Sequence, residues 1–125
     1  MPGLPNRDFL PALIDIDRDG EFVGDDVDRY SALVDLGGEF SEVAIKLPTI
    51  DNATVAVYAQ QDGAIATVPV PVHVRKADNT TGVVFISEGT GGITVTLPLG
   101  NVRYIRLYTG ANQTADRTIL VKGVF

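Results

Sequence analysis

The chain has 125 residues, 45% of them apolar and 21% charged, and this composition predicts one soluble globular domain rather than a disordered chain or two domains. Cysteine is absent, which excludes disulfides, thiolate nucleophiles and sulfur-ligated zinc. The net charge of −6 lies in the first 28 residues, where eight acids face only Arg7 and Arg18; the neutral remainder has no long-range field for nucleic acid or an anionic membrane, and the acidic segment repels both.

Residues 1–29 read as an extended acidic arm, and residues 30–125 as the body. Pro2, Pro5 and Pro11, with Asp8 among them, interrupt any signal-like apolar core, so no export segment is expected, and no apolar run approaches the ~18–20 residues of a membrane span. Leu4, Phe9, Leu10, Leu13 and Ile14 make the arm apolar enough to need a surface to lie on, either a neighbouring subunit or the chain's own body. These five are the candidate partner-binding residues.

Asp15-Ile16-Asp17-Arg18-Asp19-Gly20 through Asp26 has the spacing of a calcium loop, with acids at positions 1, 3, 5 and 12 and glycine at 6. Alternate side chains of a tight loop converge, and a hard cation takes several oxygens from that convergence. Asp15, Asp17, Asp19 and Asp26 are the candidate ligands. Against this stand the short twelfth side chain and Pro11, which lies where an EF-hand's incoming helix would run. A plain hairpin turn at Asp17-Arg18-Asp19-Gly20 explains the same residues.

From about residue 30 the pattern has period two, with Gly, Pro, Asn and Asp punctuation every 8–12 residues. This predicts an all-β protein, an antiparallel β-sandwich of about eight strands. The predicted strands are Tyr30–Leu36, Phe40–Leu47, Ala53–Gln60, Val68–Lys76, Gly82–Ser87, Gly92–Leu97, Val102–Thr109 and Thr118–Phe125. Val43, Ile45 and Leu47 alternate with Glu42, Ala44 and Lys46, and Ile93, Val95 and Leu97 alternate with Thr94 and Thr96, so each strand is expected to have a buried and a wet face. In Val68–Arg75 the valines should face one way and Pro69, Pro71, His73 and Arg75 the other; proline cannot donate to a ladder, so this strand belongs at a sheet edge or in an extended link.

Few residues suggest chemistry. His73 is the only histidine, and its neighbours Val72 and Val74 supply no partner for proton transfer. Ser31, Ser41 and Ser87 sit in no nucleophile elbow. Gly89-Thr90-Gly91-Gly92 leads into a strand and not a helix, so it reads as a turn rather than a phosphate cradle. The glycosylation patterns at Asn52, Asn79 and Asn112 read as asparagine in turns. Tyr104, Arg106 and Tyr108 share one strand face, which suits either a small contact surface or a row packed beneath a loop. No enzyme, cofactor or catalytic residue is expected.

Three stretches carry a resemblance: Leu33-Val34-Asp35-Leu36-Gly37-Gly38-Glu39-Phe40-Ser41-Glu42-Val43, Ile50-Asp51-Asn52-Ala53-Thr54-Val55-Ala56-Val57-Tyr58, and Val102–Tyr108 continuing through Gln113-Thr114-Ala115-Asp116-Arg117-Thr118 to Gly123. Together they resemble the small jelly-roll-like structural domains of tailed bacteriophages, over about residues 30–125. The resemblance implies a virion building block, a capsid decoration protein on the head surface. It further implies that the partners are the major capsid protein or other virion proteins and further copies of the chain, with a trimer suggested by the threefold positions of capsid lattices. Two other expectations stand beside it: a calcium-dependent carbohydrate- or receptor-binding module on a fibre or tail, and a small hydrolase built on His73 with Asp62 or Asp116.

Overall fold

A computed structural model describes residues 9–15, 29–63, 69–75 and 77–125. The described residues form seven β-strands and no helix: β1 (Leu10–Ile14), β2 (Val34–Gln60), β3 (Val70–Pro71), β4 (His73–Arg75), β5 (Thr81–Val83), β6 (Phe85–Thr109) and β7 (Arg117–Val124). All pairings are antiparallel. One sheet runs β1-β7-β2-β3 with β6 also paired to β2, and β4 and β5 make a separate two-stranded ribbon.

The all-β expectation holds, but the expected strand ends do not. β2 and β6, of 27 and 25 residues, run through Pro48, Asp51-Asn52, Gly89, Gly91-Gly92, Pro98 and Gly100-Asn101. Those breakers bend the strands instead of ending them, because the β2–β6 ladder shifts register between Asp35 and Phe40 and again between Thr49 and Ala53. The chain therefore doubles back on its own ladder. Ile105 opposes both Val34 and Ala59, and Val55 opposes both Ile86 and Thr109. Gly91 is one such bend, with φ +81; a Cβ there would lie 1.9 Å from the Pro48 carbonyl oxygen, so only glycine lets the two strands approach.

Residues 42–46 of β2 are central, with 94–98 of β6 on one side and 120–124 of β7 on the other. Their inward residues Val43 and Ile45 are fully buried beside Ile119, Val121, Ala12 and Ile14, and they share one apolar cluster with Leu36, Val55, Val57, Ile105 and Leu107. Each buried valine, leucine or isoleucine among them contributes about 1.5–3 kcal/mol by leaving water. Phe40 closes one end over Gly123, where a Cβ would meet its ring at 2.3 Å.

Two alternations came out differently. Ile93 is 47% exposed and Val95 and Leu97 are half-buried, although they are cross-strand partners of the buried Leu47, Ile45 and Val43. Residues 91–98 have a neighbour on one side only among the described residues, and their inward face is covered only in part. In the proline-rich stretch, Val72 is buried but Val70 is 62% exposed, and β3 is a two-residue strand at the end of the sheet.

Candidate functional site

Among the described residues, an open groove of about 790 Å³ lies where the bends of β2 and β6 meet. Glu39, Gln61, Asp62, Asn101, Arg103 and Tyr104 line it. The turn at Gly100-Asn101 reaches the groove through left-handed backbone, φ +72 and +66, which glycine and asparagine adopt readily. Arg103 is held by a two-pronged ion pair, Nε to Asp35 Oδ1 at 2.8 Å and Nη2 to Oδ2 at 3.1 Å, and its guanidinium lies 5.1 Å from the Tyr104 ring centre. The Arg103 hydrogen bonds, aided by the Gly37 amide, hold the Asp35 carboxyl below its ordinary range, and Asp35 in turn raises Arg103. The pair is about half exposed, so it orients more than it stabilises. The groove thus offers fixed donors and acceptors beside one aromatic ring.

The row Tyr104, Arg106 and Tyr108 does not form an open contact surface. Arg106 is fully buried, with Nη1 donating to the Ser31 carbonyl at 3.0 Å. Tyr108 packs against Tyr30 and Tyr58 at ring-centre distances of 4.5 and 5.3 Å, and its hydroxyl accepts from Arg29. Tyr104 alone of the three reaches the groove.

The Gln113-Thr114 stretch is a latch. Asp51 accepts from the Thr114 amide at 2.6 Å and from Arg117 Nη2 at 3.1 Å, while the nearly buried Gln113 accepts from the Asp51 amide and from Arg117 Nε. Asn112 accepts from Arg29 Nε, and Asp78 caps the β4–β5 turn by accepting from Thr80, next to Asn79 with φ 66. These are the turn roles expected of asparagine and aspartate.

A second groove, of about 480 Å³, runs along residues 85–97 and is lined mainly by apolar side chains, with Glu88 and Thr90 at its margin. Leu47, Phe85, Ile86, Ile93, Val95 and Leu97 line it, and Phe85 and Ile93 are 51% and 47% exposed.

Of the arm residues, Ile14 is fully buried in the chain's own core, and Leu10, Leu13 and Ile14 belong to β1, which pairs with β7 in the register Leu10↔Val121 to Ile14↔Arg117. Residues 10–14 are therefore a strand of the body's sheet, not a segment apart from it. Phe9 is half-buried, its ring centre 4.4 Å from Lys46 Nζ and 5.9 Å from Lys122 Nζ. Leu4 lies outside the described residues, as do Asp17, Asp19 and Asp26; Asp15 follows β1 directly. His73 is exposed, with Nδ1 3.1 Å from the Pro71 carbonyl oxygen. The alternation of the sequence does not single out Asp35, Arg103 or the groove between Phe85 and Leu97; the one sequence mark near that groove is the uncharged run Gly89–Val102. No family model, curated protein or solved structure matches the chain.

Proposed function

We propose that the chain is a non-enzymatic structural protein of a tailed bacteriophage, a decoration protein that sits on the assembled head and contacts capsid proteins and further copies of itself. The observation that carries this reading is the apolar sheet border at 93–97, which has a strand neighbour on one side among the described residues and Phe85 beside it, a surface suited to protein contact. The folded-over ladder supports a jelly-roll-like sandwich of about eight segments: the bends in β2 and β6 divide each into shorter pieces, and both halves send alternate residues into one cluster. The acidic, cysteine-free composition suits a protein that works at high local concentration outside a cell. Mass spectrometry and immunogold labelling of particles purified from cells carrying the gene test it. The chain should be a stoichiometric, regularly spaced component of heads; its absence from purified particles overturns the reading.

A second reading, a carbohydrate- or receptor-binding module, rests on the polar groove at Asp62, Asn101, Arg103 and Tyr104. In its calcium-dependent form Asp15, Asp17, Asp19 and Asp26 hold the ion. A melting temperature that falls with EDTA, and no longer does so in Asp15→Ala with Asp17→Ala, supports that form; a transition indifferent to chelator rejects it.

A further inference from the structure

The groove where the bends of β2 and β6 meet has a polar lining of one chemical kind. Glu39, Gln61, Asn101 and Arg103 all end in flat groups that make hydrogen bonds two at a time, and Tyr104 stands among them. Two of these residues are held in place without a ligand. Arg103 engages Asp35 through Nε and Nη2, so Nη1 takes no part in the ion pair. Its guanidinium lies 5.1 Å from the Tyr104 ring centre, and the Gly63 backbone packs so close to that ring that a Cβ there would sit 3.2 Å from Cε1. The half-buried ring is thereby fixed, with Val70, 62% exposed, lining the same groove.

We propose that this groove binds an uncharged carbohydrate, a short run of neutral sugar units, in preference to charged ones. The proposal rests on the carbohydrate-binding reading of the groove and names its ligand class. A sugar presents neighbouring hydroxyls that each donate and accept, beside C–H groups that lie flat on an aromatic ring. The flat polar side chains match the hydroxyls, and Tyr104 with Val70 matches the C–H groups. Charge selects among sugars. Arg103 is the one cation among the described lining residues, it is already matched by Asp35, and Glu39 adds to the negative field around it. A carboxylate, sulfate or phosphate on the ligand would therefore meet carboxylates and find no unmatched cation. A cationic ligand fares no better, because the guanidinium repels it and the amide donors of Gln61 and Asn101 gain no acceptor.

The volume of about 790 Å³ lies inside the roughly 300–1,000 Å³ range of small-molecule sites. Because the groove is open, it suits a segment of a glycan chain more than one enclosed sugar. Each hydrogen bond made there replaces one to water and adds only about 0.5–1.5 kcal/mol, so the binding is weak for a single site. It depends on hydroxyl pattern and not on net charge, which makes it insensitive to salt.

A glycan array probed with the full chain tests this, with uncharged hexose and N-acetylhexosamine oligosaccharides printed beside sialylated, uronate-containing and sulfated ones. Wild type should bind uncharged spots equally at low and high salt and leave the anionic spots bare. Tyr104→Ala should abolish the signal. Asn101→Gly removes the amide at a backbone position, φ +66, that glycine adopts readily, and should weaken binding about tenfold. That variant stays decisive if circular dichroism shows Tyr104→Ala unfolded. No signal on any spot, anionic spots bound as well as uncharged ones, or undiminished binding by folded Asn101→Gly would each overturn the inference. The failures separate: binding confined to anionic spots refutes the preference for neutral sugars but keeps the carbohydrate-binding reading, whereas silence on every spot refutes both. The head-labelling experiment is independent of either result.

Discussion

Two adjacent pieces of the sheet, Val43–Leu47 and Ile93–Leu97, carry the same alternation of large apolar and smaller or polar residues and lie side by side, Ile45 opposite Val95. Val43 and Ile45 are fully buried, whereas Ile93 is 47% exposed. The first piece is flanked on both sides, by β6 and β7; among the described residues the second has a neighbour on one side. Alternation selects which face of a strand is apolar. How deeply that face is buried depends on the strand's rank in the sheet and on what lies over it.

Large losses are expected both at the bend that aligns this pair and inside its closed core. Gly91→Ala puts a methyl group 1.9 Å from the Pro48 carbonyl oxygen on backbone with φ +81, so the edge piece must shift off its neighbour. A loss on the order of 3 kcal/mol is expected in urea denaturation. Within the aligned pair, Ile45→Ala leaves a cavity in a closed core and should cost about 3 to 4 kcal/mol. Val95→Ala, directly opposite, should cost under about 1 kcal/mol because its side chain already meets water. Equal losses for the two would show that the edge is covered in the isolated chain, and would end the contrast.

A smaller effect concerns the latch at Asp51, which lies in β2 within the register shift between Thr49 and Ala53. Hydrogen bonds from Thr114, then the charge of Arg117, lower the Asp51 pKa from its ordinary value of 3.8. A carboxyl whose folded pKa is depressed stabilises the fold above its unfolded pKa, and that stability is lost as pH falls through the folded value. The melting temperature of the wild type should thus fall more steeply below about pH 4 than that of Asp51→Asn, which has no proton to gain. Parallel curves would mean that Asp51 sits in the same surroundings in the unfolded chain.

The fold class was legible because period-two alternation follows from strand geometry alone, and it is visible in Val43-Ala44-Ile45 and again in Thr118–Val124. Strand ends were less legible. Pro48, Gly91 and Asn101 carry the residue chemistry of turns, yet a bend inside a long ladder uses the same left-handed or donor-free backbone as a turn that ends a strand. The polar groove was not legible at all, since Asp62 and Arg103 lie 41 positions apart in the chain and meet only where β2 and β6 fold back together. The row Tyr104, Arg106 and Tyr108 shows the same limit. A shared face is a local property, whereas the burial of Arg106 against Ser31 depends on distant chain.

By itself the sequence determined the all-β character, the faces of the strands, and where charge is concentrated, because each depends on residues close along the chain. The tertiary structure decided that Leu10–Ile14 joins the body's sheet, that Ile14 is core, and that Ile93, Val95 and Leu97 form an open border. Those outcomes depend on which strands become neighbours, and long-range pairing is a competition among many alternating segments that no single segment encodes.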